Sequence, residues 1–133
     1  MRPALDHFGI AVRDLEAACE RWGLVGLAAE GREEVPHEKV RVAMLPLASG
    51  RIELLQATAP DSAIASFIEK RGEGLHHVAL QVPDLPAAVE RLKRAGARLV
   101  NETIQTGAGG HKYVFVHPSS TGGVLLELIE AHA

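Results

Sequence analysis

Short apolar runs of strand length alternate with alanine-rich stretches of helical spacing along this chain, and the same order occurs twice. His7–Val12 ("HFGIAV") and His77–Val82 ("HVALQV") are apolar runs that predict strands. Asp14 and Asp84 follow where an N-cap belongs, and the stretches after them predict helices that stop at Gly26 and Gly96. Further strands are read in "KVRVAMLPL" and "RIELLQ", and again in "KYVFVHP" and "VLLELIE". Between the two series, Pro60–Gly74 ("PDSAIASFIEKRGEG") reads as a capped helix followed by a glycine-rich linker. Each series is β-α-β-β with an additional short strand, placed at about Arg98–Asn101 in the second. The expectation is an α+β fold of two repeated βαβββ modules. Module one covers about residues 1–58, the linker helix about 60–74 and module two about 75–133, all within one domain.

The two series are also alike residue by residue. Leu5–Gly26 aligns with Leu75–Gly96 at a constant offset, pairing His7 with His77, Asp14 with Asp84, Leu15 with Leu85, Glu20 with Glu90 and Arg21 with Arg91. Farther on, Pro46 falls against Pro118 and Gly50 against Gly122. A two-residue lengthening at Gly123-Val124 then sets Glu53 against Glu127. Each module therefore offers one histidine on its first strand and one glutamate on its last. In the adjacent pair His76-His77 the side chains of a strand point to opposite faces, so only one can serve a given site. Only His77 has a counterpart; His76 faces Asp6 in the alignment, and is assigned to packing or hydrogen bonding on the other face.

Composition narrows the classes. A net charge of −3, with seven histidines and no basic run interleaved with aromatics, leaves no electrostatic footprint for nucleic acid. No apolar stretch approaches the ~20 residues needed to span a membrane, no signal-peptide pattern is present, and a cytoplasmic location is expected. The single cysteine, Cys19, excludes an intrachain disulfide and reads as a buried structural thiol on the first helix. His37 and His132 read as surface positions and His117 as a loop-orienting residue. The stretch "TGAGG" before His111-Lys112 reads either as an anion-approaching turn or as a plain hairpin turn.

Two imidazoles and two carboxylates without thiolate form a mixed N/O donor set for a divalent ion. Such a set suits Co²⁺, Mn²⁺, Ni²⁺, Fe²⁺ or Zn²⁺, with Co²⁺ placed first. Taken singly, a histidine on an apolar strand is usually a hydrogen-bonded core residue, and a glutamate in "IELL" the outward residue of a half-buried strand. Their recurrence at equivalent places of a duplicated unit favours metal ligation by His7, Glu53, His77 and Glu127. Four protein ligands leave two positions on a six-coordinate ion for a chelating substrate.

These residues resemble the vicinal oxygen chelate (glyoxalase/bleomycin resistance) superfamily, and within it the methylmalonyl-CoA epimerase family. The resemblance covers nearly the whole chain. It rests on "LDHFGIAV", on "LPLASGRIELLQATAPDSAIASFIEKRGEGLHHVALQV" and on "GAGGHKYVFVHPSSTGGVLLELIE". It implies the same four metal ligands and a racemase/epimerase acting on a coenzyme A thioester of propionate metabolism. The reaction so implied exchanges (R)- and (S)-methylmalonyl-CoA by α-proton abstraction through an enolate; Glu127 and Glu53, related by the internal repeat, are expected as the catalytic bases, with Glu127, which the resemblance supports more directly, first. It also implies an acyl-CoA substrate, a homodimer, and no nucleic-acid or membrane partner. The coenzyme A phosphates are expected near basic residues such as Lys70, Arg71 or Lys112. In one place the chain departs from the pattern: some members carry a catalytic glutamate where this chain has Val42. The alternatives are a glyoxalase I-like isomerase and a metal-free small-molecule binding protein of the same fold.

Overall fold

The computed structural model describes residues 2–131, so His132 lies outside the described residues. Among these residues the order is β1 (Ala4–Ala11), α1 (Leu15–Gly23), β2 (Arg32–Val35), β3 (Val40–Pro46), β4 (Arg51–Ala57) and α2 (Ala63–Arg71). It continues with β5 (Gly74–Val82), α3 (Leu85–Arg94), β6 (Gln105–Thr106), β7 (Lys112–Val116) and β8 (Leu126–Glu130). This is βαβββ twice with α2 between, an α+β chain as the hydrophobic pattern predicts. Contacts divide the chain into two compact units. One is His7–His76; the other joins residues 2–6 to residues 77–131, so β1 begins in one and continues in the other.

In the first unit the strands lie in the order β2-β3-β4-β1, with β1 parallel to β4 and the other neighbours antiparallel. One face packs on α1 through Val12, Leu15, Ala18, Ala43, Leu45, Ile52 and Leu54, joined by Phe8, Ile10 and Trp22. The second unit repeats the plan as β5-β8-β7-β6. Its helix-side core is Val82, Leu85, Ala88, Val89, Val114, Val116 and Leu128. On its other face lie Ala79, Tyr113 and Ile129 with Phe115 against them. Residues at i and i+2 of a strand share a face, so the apolar alternation here leaves His7 and Glu53, and likewise Ala79 and Glu127, off the helix-packed side.

The helix signals act as the sequence implies. Asp14 and Asp84 are extended, and their carboxylates accept from the backbone N–H of Ala17 at 3.1 Å and of Ala87 at 3.0 Å. Ser62 caps α2 in the same way, accepting from Ala65 N–H at 3.0 Å. Replacing such a cap by alanine leaves an orphan N–H and costs about 1 kcal/mol. Asp84→Ala is therefore expected to lower unfolding stability by about that amount in urea titration, and an unchanged midpoint would contradict the cap's role.

The additional strand of module two is displaced from its expected place. Leu99 makes a single bridge to Val116, and Val100 N–H donates to Phe115 C=O at 2.8 Å. The regular strand forms later, at Gln105–Thr106. The side-chain carbonyl of Asn101 takes the Phe115 N–H at 2.9 Å, so the ladder passes from backbone to side chain there and is interrupted. The "TGAGG" stretch is the hairpin turn between β6 and β7. Gly107 N–H donates to His111 C=O at 2.8 Å, and Gly109 and Gly110 have φ of 70° and 77°, a region that glycine enters without strain.

Cys19 is half-buried, and burial pushes its thiol pKa up, as expected of an unreactive structural thiol. His117 orients its loop: Nδ1 accepts from Ser119 N–H at 3.0 Å. His37 is exposed at the surface beside Glu38, 3.7 Å away. Among the described residues no helix is long and apolar enough to cross a membrane.

Candidate metal and active site

Strand register places the two glutamates at equivalent positions. On the first unit Glu53 of β4 stands beside Gly9 of β1 and opposite Met44 of β3. On the second, Glu127 of β8 stands beside Ala79 of β5 and opposite Phe115 of β7. Gly9 and Ala79 are themselves partners in the sequence repeat, so the two-residue lengthening at Gly123-Val124 is absorbed in the loop before β8.

In each unit the glutamate meets its own histidine. His7 Nδ1 lies 3.3 Å from Glu53 Oε2, and His77 Nε2 lies 2.9 Å from Glu127 Oε1. All four side chains are buried: His7 is 2% exposed, Glu53 5%, His77 5% and Glu127 8%. Burying a carboxylate without a partner costs several kcal/mol, so these strands hold polar pairs that are kept for a reason other than packing. Phe115 stands edge-on to the His77 ring with the centroids 5.2 Å apart, within the roughly 4.5–7 Å of such contacts. That contact fixes the plane of the ring and hence the direction of its nitrogens.

Arg51 is the neighbour that the sequence reading missed. Its Nε donates to Glu53 Oε2 at 2.8 Å, and its Nη2 lies 2.6 Å from the same oxygen. Arg51 sits two residues before Glu53, so strand alternation alone would have put both on one face. The equivalent place before Glu127 is Leu125, so the two half-sites are not chemically alike. A second residue without an assigned role is Asp6, 1% exposed, whose Oδ1 accepts from Gln81 Nε2 at 2.8 Å. His76 turns away as expected and stacks edge-on against Phe67 of α2, centroids 5.0 Å apart. Lys70 and Arg71 are exposed in the last turn of α2, and Lys112 is exposed at the start of β7.

The donor chemistry fits a divalent ion. Each pair offers an imidazole nitrogen and a carboxylate oxygen that already converge, and the residues are of the types that hold such an ion. The duplicated βαβββ unit with one buried His–Glu pair per module defines the class of protein. Residues 6–115 match the Glyoxalase/Bleomycin resistance protein/Dioxygenase superfamily. Within it, the chain is 39% identical over 127 residues to the ethylmalonyl-CoA/methylmalonyl-CoA epimerase of Cereibacter sphaeroides, covering 93% of this chain and 95% of that one. The crystal structure of methylmalonyl-CoA epimerase from Mycobacterium tuberculosis superposes with a TM-score of 0.91 at 38% identity, over 98% of this chain and 89% of that one. A methylmalonyl-CoA epimerase in complex with methylmalonyl-CoA and NH4+ superposes with a TM-score of 0.93 at 31% identity, over 100% and 97% of the two chains. The chain belongs to the methylmalonyl-CoA epimerase family.

Proposed function

We propose that this chain interconverts (R)- and (S)-methylmalonyl-CoA in a metal-dependent reaction, by moving the proton on the carbon between carboxylate and thioester. The observation that carries the reading is the pair of buried His–Glu contacts at register-equivalent positions, in a chain similar to named epimerases along nearly its whole length. His7, Glu53, His77 and Glu127 would together hold one divalent ion, Co²⁺ first and Mn²⁺, Ni²⁺ or Zn²⁺ as alternatives. When bound, such an ion supplies Lewis-acid stabilisation of the negative charge that develops on the substrate's thioester oxygen.

The protein's own groups would do the proton chemistry. Epimerisation needs a base on each face of a planar enolate, each within hydrogen-bond reach of its proton. Glu127 is the first of these. Its carboxylate meets the imidazole of its own module, with His77 Nε2 2.9 Å from Oε1. Glu53 is its counterpart by symmetry, and Arg51 holds it in place. Burial of all four residues keeps bulk water away from a carbanion that water would otherwise quench at random.

The superfamily also contains glyoxalase chemistry, which makes an enediolate from a hemithioacetal, and one assay separates the two. Purified protein with Co²⁺ is expected to convert either stereoisomer of methylmalonyl-CoA to the mixture while leaving the methylglyoxal–glutathione hemithioacetal unchanged. The reverse result would replace this reading with the glyoxalase one.

A further inference from the structure

A run of ring contacts within the second unit ends on His77. Tyr113 and Phe115 of β7 stand opposite Ile129 and Glu127 of β8. Opposed residues of antiparallel strands project from the same face, and faces alternate along each strand. Both rings are therefore on the side of the sheet that bears Glu127. Their centroids are 5.5 Å apart at an interplanar angle of 76°, and the Phe115 ring meets the His77 ring at 5.2 Å and 89°. His77 Nε2 in turn lies 2.9 Å from Glu127 Oε1.

Each member of the stack is itself held. Tyr113 is 2% exposed and packs with Ala79 and Ile129. The backbone of Gly107, at the hairpin turn, passes so close that an added methyl group would stand 2.9 Å from Tyr113 Cε1 and 3.2 Å from Cδ1, inside van der Waals contact. Gly107 is extended with φ of −114°, open to any residue, so it is room for the Tyr113 ring that calls for glycine there. Phe115 is fixed through its backbone. Its N–H donates to Asn101 Oδ1 at 2.9 Å, and its C=O accepts from Val100 N–H at 2.8 Å. The interruption of the ladder at Asn101 thus falls on the residue that touches His77.

The first unit is built differently at the same places. Met44 is opposite Glu53 as Phe115 is opposite Glu127, and Val42 is opposite Leu55 as Tyr113 is opposite Ile129. Instead of rings it has Arg51, whose Nε and Nη2 lie 2.8 and 2.6 Å from Glu53 Oε2; Leu125 takes that place in the second unit. An arginine orients a carboxylate by charge and directed hydrogen bonds. An edge-on ring orients an imidazole by packing and brings no charge. The two half-sites are thus oriented by different devices, one acting on the glutamate and the other on the histidine.

We propose that Phe115 and Tyr113, keyed by Gly107, are positioning residues for His77 and do in the second half-site what Arg51 does in the first; this rests on the metal-site reading above. Metal-ligating imidazoles depend on their surroundings for ring orientation, and removing an orienting partner lowers metal affinity about 10–100-fold. Because Tyr113 is enclosed, a displacement of its ring is passed to Phe115 and from there to the imidazole.

The test compares Phe115→Leu, Phe115→Tyr, Gly107→Ala and, in the first unit, Met44→Leu. Co²⁺ affinity is measured by calorimetry and coordination by the visible d–d absorption of the Co²⁺ form. The His77 ring is followed by imidazole nitrogen NMR of the metal-free chain, its signal assigned by loss in His77→Gln. Phe115→Leu is expected to bind Co²⁺ at least about tenfold more weakly, with altered d–d bands and a shifted His77 signal. Phe115→Tyr, which keeps the ring, and Met44→Leu, which has none to lose, should stay within about threefold with the His77 signal unmoved. Gly107→Ala should shift that signal although its methyl group meets Tyr113 and not the histidine. An unmoved His77 signal in Phe115→Leu or Gly107→Ala would overturn the proposal. So would an equal loss of affinity in Met44→Leu, which would mark a general response to altered strand packing. A shifted His77 signal in Phe115→Leu, with an unsubstituted chain that fails to bind Co²⁺, would uphold the positioning role and count against the metal-site reading.

Discussion

Glu127→Gln is expected to reduce turnover of methylmalonyl-CoA at least about 1000-fold, within the range that a positioned general base contributes, while the chain stays folded and still binds a divalent ion. Glutamine matches glutamate in shape, and its side chain can keep a hydrogen bond to His77, which lies 2.9 Å from Glu127. The β5–β8 register that carries the residue depends on backbone bonds and on Leu128 and Ile129, so packing is undisturbed. What is lost is the capacity to take a proton, together with one negative charge among the ligands. Metal affinity should therefore fall without disappearing, because a carbonyl oxygen remains. Steady-state kinetics at saturating Co²⁺ with calorimetry on the same sample checks both parts. Activity within tenfold of the unsubstituted chain would remove Glu127 from the chemistry.

The duplicated plan was legible because two different signals agreed. Strand and helix periodicity gave the order of elements, and paired identities such as His7 with His77 and Asp14 with Asp84 gave their alignment. Register bears this out at the glutamates, where Gly9 lies beside Glu53 and Ala79 beside Glu127. Alternation allowed only one of His76 and His77 on a given face, the repeat chose His77 as the partner of His7, and His76 packs on Phe67.

The edge strands were harder to read, for physical reasons. β2 is "REEV", a sequence with little intrinsic strand preference that is ordered by pairing with β3. β6 is two residues long and is set by the β7 hairpin, while the more strand-like Leu99–Val100 makes only irregular contacts because Asn101 intercepts the Phe115 N–H. Arg51 escaped notice since one basic residue near a strand end has no signature by itself. It gains meaning only when its guanidinium is seen 2.8 Å from Glu53.

The second large effect concerns the ion. Abstraction of an α-proton next to a carboxylate builds a second negative charge on a substrate that already carries one. The site's only fixed cationic side chain on the first unit's inner face, among the described strand residues, is Arg51, and it is committed to Glu53. With the ion removed, His7 and His77 can offer only hydrogen bonds to the developing charge. These are individually worth far less than direct Lewis-acid stabilisation, which amounts to several kcal/mol. Each 1.36 kcal/mol is a factor of ten in rate, so stripping the metal is expected to cost at least about 1000-fold. The fold itself should survive, since the cores around Leu15 and Leu85 do not involve the four ligands.

The most direct measurement is proton NMR of methylmalonyl-CoA in D₂O with metal-stripped protein, before and after adding Co²⁺. The expected result is a persistent α-proton signal without metal, then its loss with inversion at the α-carbon once Co²⁺ is present. A persistent signal with Co²⁺, Mn²⁺, Ni²⁺ and Zn²⁺ alike, or loss at the same rate in stripped protein, would contradict metal-dependent epimerisation.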